Sequence, residues 1–205
     1  MHGSDCIIKG TWIVDFRAMR VVFVTTNESK RREAQRILGV ELERAAPEVP
    51  EVQSLDFAEV ATHKARAARK ALGSPPYPVL VEDSGLVVGA WNGLPGALTK
   101  WFLGSVGNEG IIEMLCGGDR GARAVCALAL ADTHGAVHVF EGVIQGEVAA
   151  EPRGEEGFGW DPIFVPQGTR LTYAEMGEDK HEDSHRARAF RQLRVWLEEK
   201  DGQEA

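Results

Sequence analysis

Two stretches of the sequence carry side chains suited to holding a flat heterocycle. One is Gly157-Phe158-Gly159-Trp160-Asp161-Pro162; the other is Lys180 followed by Ser184-His185-Arg186. An aromatic ring set between glycines offers an uncovered face for stacking. Asp, Lys, His and Arg can read the edge of such a ring through directional hydrogen bonds. Near the other end of the chain, Thr25-Thr26-Asn27 closes an apolar run and leads to Lys30. A strand turning into a helix aims backbone N–H groups and the positive end of the helix dipole at one spot, where phosphates bind. One part of the chain is suited to a base and another to phosphates.

Between them, Glu82-Asp83-Ser84-Gly85-Leu86 follows the apolar run Val79-Leu80-Val81. Adjacent carboxylates are therefore expected at the C-terminal end of a strand, where α/β folds place their ligands. Side chains alternate along a strand, so only one of the two can face a cleft. Asp83 is the better candidate, because Ser84 and Gly85 allow a metal and a phosphate to come close. Hard oxygen ligands of this kind suit Mg²⁺, which takes one or two carboxylates and completes its shell from water and phosphate. Glu51, in a loop after Pro50, could supply the second carboxylate. Lys64, isolated among alanines, could point into the same cleft. Read singly, each feature also fits a plain alternative: a capped helix with a solvated lysine, a turn with solvated acids, a surface ion.

The elements that must position these residues follow from pattern and punctuation. Val21 to Val24 reads as a strand buried on both faces. Asn27 is placed to cap a helix whose apolar positions are Ala34, Ile37 and Leu38, with Gly39 ending it. A second helix is expected from Asp56 to Leu72, then a strand over Val79 to Val81 and a turn at Gly93-Leu94-Pro95-Gly96. Trp101 and Phe102 are expected in the core. Asn108 to Leu115 reads as a helix. Val125 to Ala131 and Val137 to Val148 read as two longer strands joined at Asp132-Thr133-His134-Gly135. A last helix runs from Ser184 to Glu199, its apolar face made by Ala189, Phe190, Leu193, Trp196 and Leu197. Interleaved helices and strands of this kind give an α/β fold with a mixed sheet. Residues 1–18 are expected to form an extension ahead of a single domain over 19–200, with a frayed tail over 201–205. Trp12 to Phe16 has enough β character to be a genuine short strand instead.

Composition narrows the class. The chain has 205 residues and a formal net charge of -8, so binding to duplex nucleic acid by counterion release is disfavoured. An anionic ligand must find a local basic pocket within an acidic envelope. Cys6, Cys116 and Cys126 show neither a C-x-x-C pair nor zinc-type spacing, as in a reduced cytoplasmic protein. No run is apolar enough to span a bilayer, and no signal-peptide pattern is present.

Taken in order, T-x-N-x-x-K, E-D-S-G-L, G-L-P-G, K-W-F, F-G-W-D-P, A-E-M and K-x-x-x-S-H-R resemble the inosine triphosphate pyrophosphatase family of nucleoside triphosphate hydrolases, from about Val21 to Trp196. The resemblance implies an elongated mixed sheet with helices forming two lobes around a central nucleotide cleft, and a homodimer. It implies Mg²⁺-dependent hydrolysis of ITP, dITP and XTP to the monophosphate and pyrophosphate. By the same resemblance Thr25, Thr26, Asn27 and Lys30 would hold the triphosphate, with Lys64, Ser84 and Lys100 nearby. Glu51 and Asp83 would serve the metal, Asp83 doubling as the base that activates water. Phe158, with Gly159 and Trp160, would stack on the purine, while Asp161, Lys180, His185 and Arg186 would read its edge and sugar side. Two positions depart from the family pattern: Thr26 stands where a glycine is usual, and Glu51 lacks the glycine that often follows. A nucleotide sensor without turnover and a phosphatase releasing orthophosphate are the competing readings of the same pocket.

Overall fold

The computed structural model describes residues 20–115 and 117–204. The extension expected over 1–18, the alternative strand Trp12 to Phe16, Cys6 and Cys116 lie outside the described residues. A six-stranded mixed sheet organises the chain, in the order β2-β1-β3-β4-β5-β6. These strands are β1 (Val22–Val24), β2 (Glu43–Ala45), β3 (Val79–Val88), β4 (Gly121–Ala131), β5 (Val137–Val148) and β6 (Phe164–Pro166). β1 runs parallel to β2 and β3, and the remaining neighbours pair antiparallel. The helices are α1 (Glu28–Leu38), α2 (Phe57–Ala71), α3 (Thr99–Glu113), the single turn α4 (Tyr173–Met176) and α5 (His185–Glu204).

Local chemistry accounts for several boundaries. The Asn27 side chain accepts hydrogen bonds from the Ser29 and Lys30 N–H groups, and Gly39 closes α1 in the left-handed conformation. Asp56 caps α2 in the same manner through Ala58 and Glu59. Helix α3 begins before the boundary expected at Asn108 and passes through a break at Gly107, whose φ is 69°. That break hides the first half of the helix from any periodicity search. Trp101, expected in the core, lies in this first half and is 62% exposed, while Phe102 packs against the core only in part. α5 also runs past the end expected at Glu199, to Glu204.

The row of side chains along β3 shows how the sheet makes room for a site. One face carries Leu80, Glu82, Ser84, Leu86 and Val88, with Leu80 and Glu82 turned towards α1 and α5 and Leu86 and Val88 towards α3. Leu80 joins an apolar cluster with Phe23, Leu128, Phe190 and Leu193; Leu86 and Val88 join another with Ile111, Trp160, Phe164 and Tyr173. Glu82 and Ser84 fall in the gap between these clusters. On the opposite face Val79, Val81 and Val87 pack beneath α2 with Ala61, Ala65 and Ala68, and Asp83 interrupts that row. The carboxylates expected at the end of a strand are therefore in its middle. Glu82 pairs with Leu128 and Asp83 with Ala127 of β4. The expectation is half met for a physical reason. β1 stops opposite Val81, so from Glu82 onward β3 has lost its parallel neighbour. The start of α1 follows directly from the end of β1, beside this free edge.

Candidate active site

Glu82 and Asp83 point to opposite faces, and their environments differ sharply. The Glu82 carboxylate is wholly buried and accepts two hydrogen bonds from Arg186, from Nε at 3.0 Å and Nη2 at 2.8 Å. Lys30 Nζ lies 3.3 Å from the same Oε1 that Arg186 Nη2 contacts. Burial by itself would raise the Glu82 pKa, but Arg186 and Lys30 outweigh it and hold the group well below the carboxylate range. Asp83 has no such partner. Its Oδ2 is buried and unbonded, and desolvation pushes its pKa up to about 6 against the pull of Lys30 and Lys64. Glu51 and Glu82, both near enough to repel it, add to the rise.

Asp83 shares its surroundings with the loop glutamate and the α2 lysine. Lys64 donates to Glu51 Oε1 at 2.6 Å. Lys100 and Lys30 are also close enough to lower the Glu51 pKa, which stays down despite partial burial. Lys30, Lys64, Lys100, Glu51 and Asp83 are thus brought into one electrostatic neighbourhood. At the start of α1, Thr25 Oγ1 accepts from the Asn27 N–H at 3.1 Å, and the Asn27 side-chain Oδ1 accepts from the Ser29 and Lys30 N–H groups. Several donors expected to be open to phosphate are therefore already engaged. Thr26 is exposed, and Ser74 and Asn92 are the non-glycine residues with positive φ among those described. Thr26 thus occupies the usual glycine position without backbone strain.

Two carboxylates, one with an orphaned buried oxygen, fit a hard divalent cation that completes its shell from water and phosphate. No group of three His, Cys, Asp or Glu side chains that could hold a metal is present among the described residues.

At the other end, Phe158 lines a pocket of about 350 Å³ together with Ser29, Glu33, Gly157, Lys180 and His181. The loop before it depends on Gly157, whose φ is 80° and whose missing Cβ leaves room for the Asp161 carboxylate. Asp161 Oδ2 accepts from the Phe158 N–H at 2.8 Å and from Lys180 Nζ at 2.7 Å, fixing the aromatic ring relative to the lysine. Burial raises the Asp161 pKa even with Lys180 in contact. Lys180 Nζ also lies 2.7 Å from Glu33 Oε1, and Arg186 pairs with the other Glu33 oxygen. Glu33 is desolvated, yet Arg186 and Lys180 together hold its pKa below the ordinary value. Glu33 does not stand out in the sequence, where it resembles one more charge on the polar face of α1.

The remaining expected base readers are placed differently. Trp160 is buried and does not line the pocket; its ring centre lies 5.1 Å from that of His185 and 6.1 Å from that of Tyr173, and His185 stacks on Tyr173 at 5.7 Å, so the three rings form one cluster. Both ring nitrogens of His185 are buried without partners, and desolvation holds its pKa well below the usual value, so the ring is neutral. Gly159 gives its carbonyl to Asn108 Nδ2 at 3.0 Å. Arg186 is likewise covered, yet its guanidinium carbon is 5.5 Å from the Phe158 ring centre, and Lys180 Nζ is 5.6 Å from it. α5 can deliver Arg186 to β3 because β5 carries Gly142 where the helix begins. Any Cβ there would collide with the His185 carbonyl. Ser184 caps the helix by accepting from the Ala187 N–H at 3.1 Å.

A chain of buried ion pairs thus connects Lys30 to Glu82, Arg186, Glu33, Lys180 and Asp161, with the Phe158 pocket at one end and Asp83 at the other. Residues 21–196 match the model of the Ham1 family. The chain belongs to the Ham1 family. Among its relatives, the dITP/XTP pyrophosphatase of Methanopyrus kandleri is 43% identical over 183 residues, covering 87% of this chain and 96% of the relative. The inosine triphosphate pyrophosphatase of Yarrowia lipolytica is 44% identical over 188 residues, covering 89% and 97%. A solved HAM1 protein from Coxiella burnetii superposes with a TM-score of 0.74 at 33% identity, covering 88% of this chain and 99% of that one. The Ham1 match spans the same residues as the ordered motifs, and both spans include every residue of the ion-pair chain.

Proposed function

We propose that this Ham1-family chain is a nucleoside triphosphate pyrophosphatase acting on ITP, dITP and XTP, and that it requires Mg²⁺ and releases the monophosphate and pyrophosphate. The observation that carries the reading is Asp83. A partly buried carboxylate with one buried, unbonded oxygen and a pKa near 6, set among Lys30, Lys64 and Glu51, is poised to take a proton at neutral pH. Release of pyrophosphate requires attack at the α-phosphorus. Asp83 accepts the proton of the attacking water there, and the bond from the α-phosphorus to the bridging oxygen breaks. Lys30, Lys64 and Lys100, with the N-terminal end of α1 at Thr25 to Asn27, stabilise the charge that passes to the pyrophosphate. Mg²⁺, held by Asp83 and Glu51, would neutralise phosphate charge and lower the pKa of bound water. Glu51 becomes free for that role when Lys64 turns from its carboxylate to a phosphate.

Selection of the base follows from donor counting. A guanidinium has five N–H groups. Arg186 commits Nε and one Nη2 hydrogen to Glu82, the other Nη2 hydrogen to Ser84, and one Nη1 hydrogen to Glu33. One N–H remains. Lys180 has three donors and gives one to Asp161 and one to Glu33, so one remains there as well. Both cations sit close to the Phe158 ring on which the purine stacks. A 6-keto oxygen can accept from them; a 6-amino group presents a donor to donors and leaves buried groups unpaired, a loss that can discriminate by orders of magnitude. Incubation of the purified protein with ITP, XTP and ATP in the presence of Mg²⁺, with identification of the phosphate product, tests the reading. Pyrophosphate and the monophosphate from ITP, with little from ATP, is the expected outcome. Orthophosphate and the diphosphate would indicate attack at the γ-phosphorus, and binding without turnover would indicate a sensor. A homodimer in the cytoplasm is proposed from the family resemblance, and sedimentation at micromolar concentration tests the dimer.

A further inference from the structure

We propose that Glu82 is a positioning residue that couples the base end of the site to the phosphate end, an inference that rests on the pyrophosphatase reading above. Its Oε1 is shared by two cations with different tasks. Arg186 Nη2 approaches it at 2.8 Å from the base side, and Lys30 Nζ at 3.3 Å from the phosphate side. The Glu82 side chain is 0% exposed, Arg186 is 3% and Lys30 is 16%, so water screens these contacts poorly.

A purely structural role does not require this arrangement. Arg186 is already neutralised in part by Glu33, and Glu82 already receives a bidentate pair from Arg186. Lys30 is an additional partner, brought in by the first turn of α1 over the edge that β3 exposes after β1 ends. From there it lies within electrostatic reach of Asp83 too. Each shift of the guanidinium towards or away from a base edge alters the hold of Oε1 on Lys30. The identity of the base is thereby felt, through Glu82, by a lysine whose only reach to the substrate is at the phosphates.

The test is a cycle of four proteins: wild type, Lys30→Gln, Glu82→Gln and the double variant. For each, kcat/KM is measured for ITP and ATP, and folding is checked by circular dichroism and thermal denaturation. In the wild-type background Lys30→Gln is expected to change the ITP/ATP ratio by about three- to tenfold, the scale of coupling within one ion-pair network. In the Glu82→Gln background the same change should lower both substrates by one common factor. A general loss of folding or of phosphate binding would move both substrates together and leave the ratio unchanged. If Glu82→Gln does not fold, Glu82→Asp serves in its place; it keeps the charge but is one methylene too short to reach both cations, and the cross-effect should again be lost. The proposal is overturned if Lys30→Gln leaves the ratio unchanged in the wild-type background, or if its cross-effect persists without Glu82. A wild-type protein that hydrolyses ITP and ATP equally would remove the base readout itself, so failure of the underlying reading shows in a different arm of the experiment.

Discussion

Glu82 and Asp83 are neighbours in one strand, and the sheet gives them opposite fates. Glu82 faces α1 and α5, where Arg186 and Lys30 hold it ionised despite complete burial. Asp83 faces α2, where burial dominates, one oxygen has no partner, and the pKa climbs to about 6. Glu82 is also the deeper of the two, but the decisive difference is satisfaction: its hydrogen bonds are made and those of Asp83 are not. A buried charge with its hydrogen bonds made is part of the scaffold, whereas one left unmade holds energy that a ligand can release. The fold spends an arginine and a lysine on the first so that the second can stand next to it unpaired.

The largest effect in stability should come from breaking the satisfied side. Arg186→Ala leaves Glu33 and Glu82 facing each other in a buried site, a loss of about 3–5 kcal/mol for an ion pair broken from one side. Chemical denaturation should show it, and a variant within 1 kcal/mol of wild type would mean that water fills the site. Arg186→Ala is accordingly a poor probe of base selectivity, although the family resemblance recommends it; the residue that would read the base also holds two glutamates in place.

The unsatisfied side should behave in the opposite sense with pH. The folded-state pKa of Asp83 lies above that of an unfolded aspartate, so its ionisation costs stability. The cost is absent below the unfolded pKa near 4 and complete above about 6. A rise of roughly two units corresponds to about 3 kcal/mol. Relative to Asp83→Asn, wild type should therefore become less stable as pH rises from about 4 to 7. Parallel stability curves for the two proteins over that range would show that Asp83 ionises without penalty.

Smaller effects are expected where the two sides meet the ligand and where they do not. Phe158→Ala should weaken nucleotide binding by about 1–3 kcal/mol, the value of one base–aromatic stack, and by a similar factor for ITP and ATP. Calorimetry with Ca²⁺ in place of Mg²⁺ would measure it, and a change confined to ITP would mean that the ring selects rather than supports. Smallest of all, Trp101→Ser should alter folding stability by less than about 0.5 kcal/mol, because the side chain is 62% exposed. A larger loss on thermal denaturation would place Trp101 in an interface with another copy or partner.

Much of the scaffold can be read from local signals. Asn27 and Gly39 bracket α1, Asp56 starts α2, and the turn after Ala131 joins β4 to β5, because caps and turns are chemistry among near neighbours. The Phe158 loop and the acidic pair also stand out by composition. The continuation of β3 through Glu82-Asp83-Ser84 does not, because polar residues in mid-strand contradict the apolar pattern and only pairing with β4 overrides it. Glu33 is equally hidden: on α1 it looks like a solvated charge, and its partner Arg186 is 153 positions away in sequence. Trp160 and His185 stand out as residue types, yet only the fold shows that they pack with Tyr173 into a buried ring cluster rather than lining the Phe158 pocket.

The division between Glu82 and Asp83 is tested most directly by one variant measured in two ways. Asp83→Asn removes the unpaired charge and keeps the shape, so purified protein is assayed for pyrophosphate release from ITP with Mg²⁺ and for its melting temperature at pH 7.5. Loss of the group that takes the proton should lower turnover by about 10²–10⁴-fold, while the melting temperature holds or rises because a desolvated carboxylate has been removed. Pyrophosphate release near the wild-type rate, or a melting temperature well below wild type, would show that Asp83 belongs to the scaffold as Glu82 does, and would contradict the account.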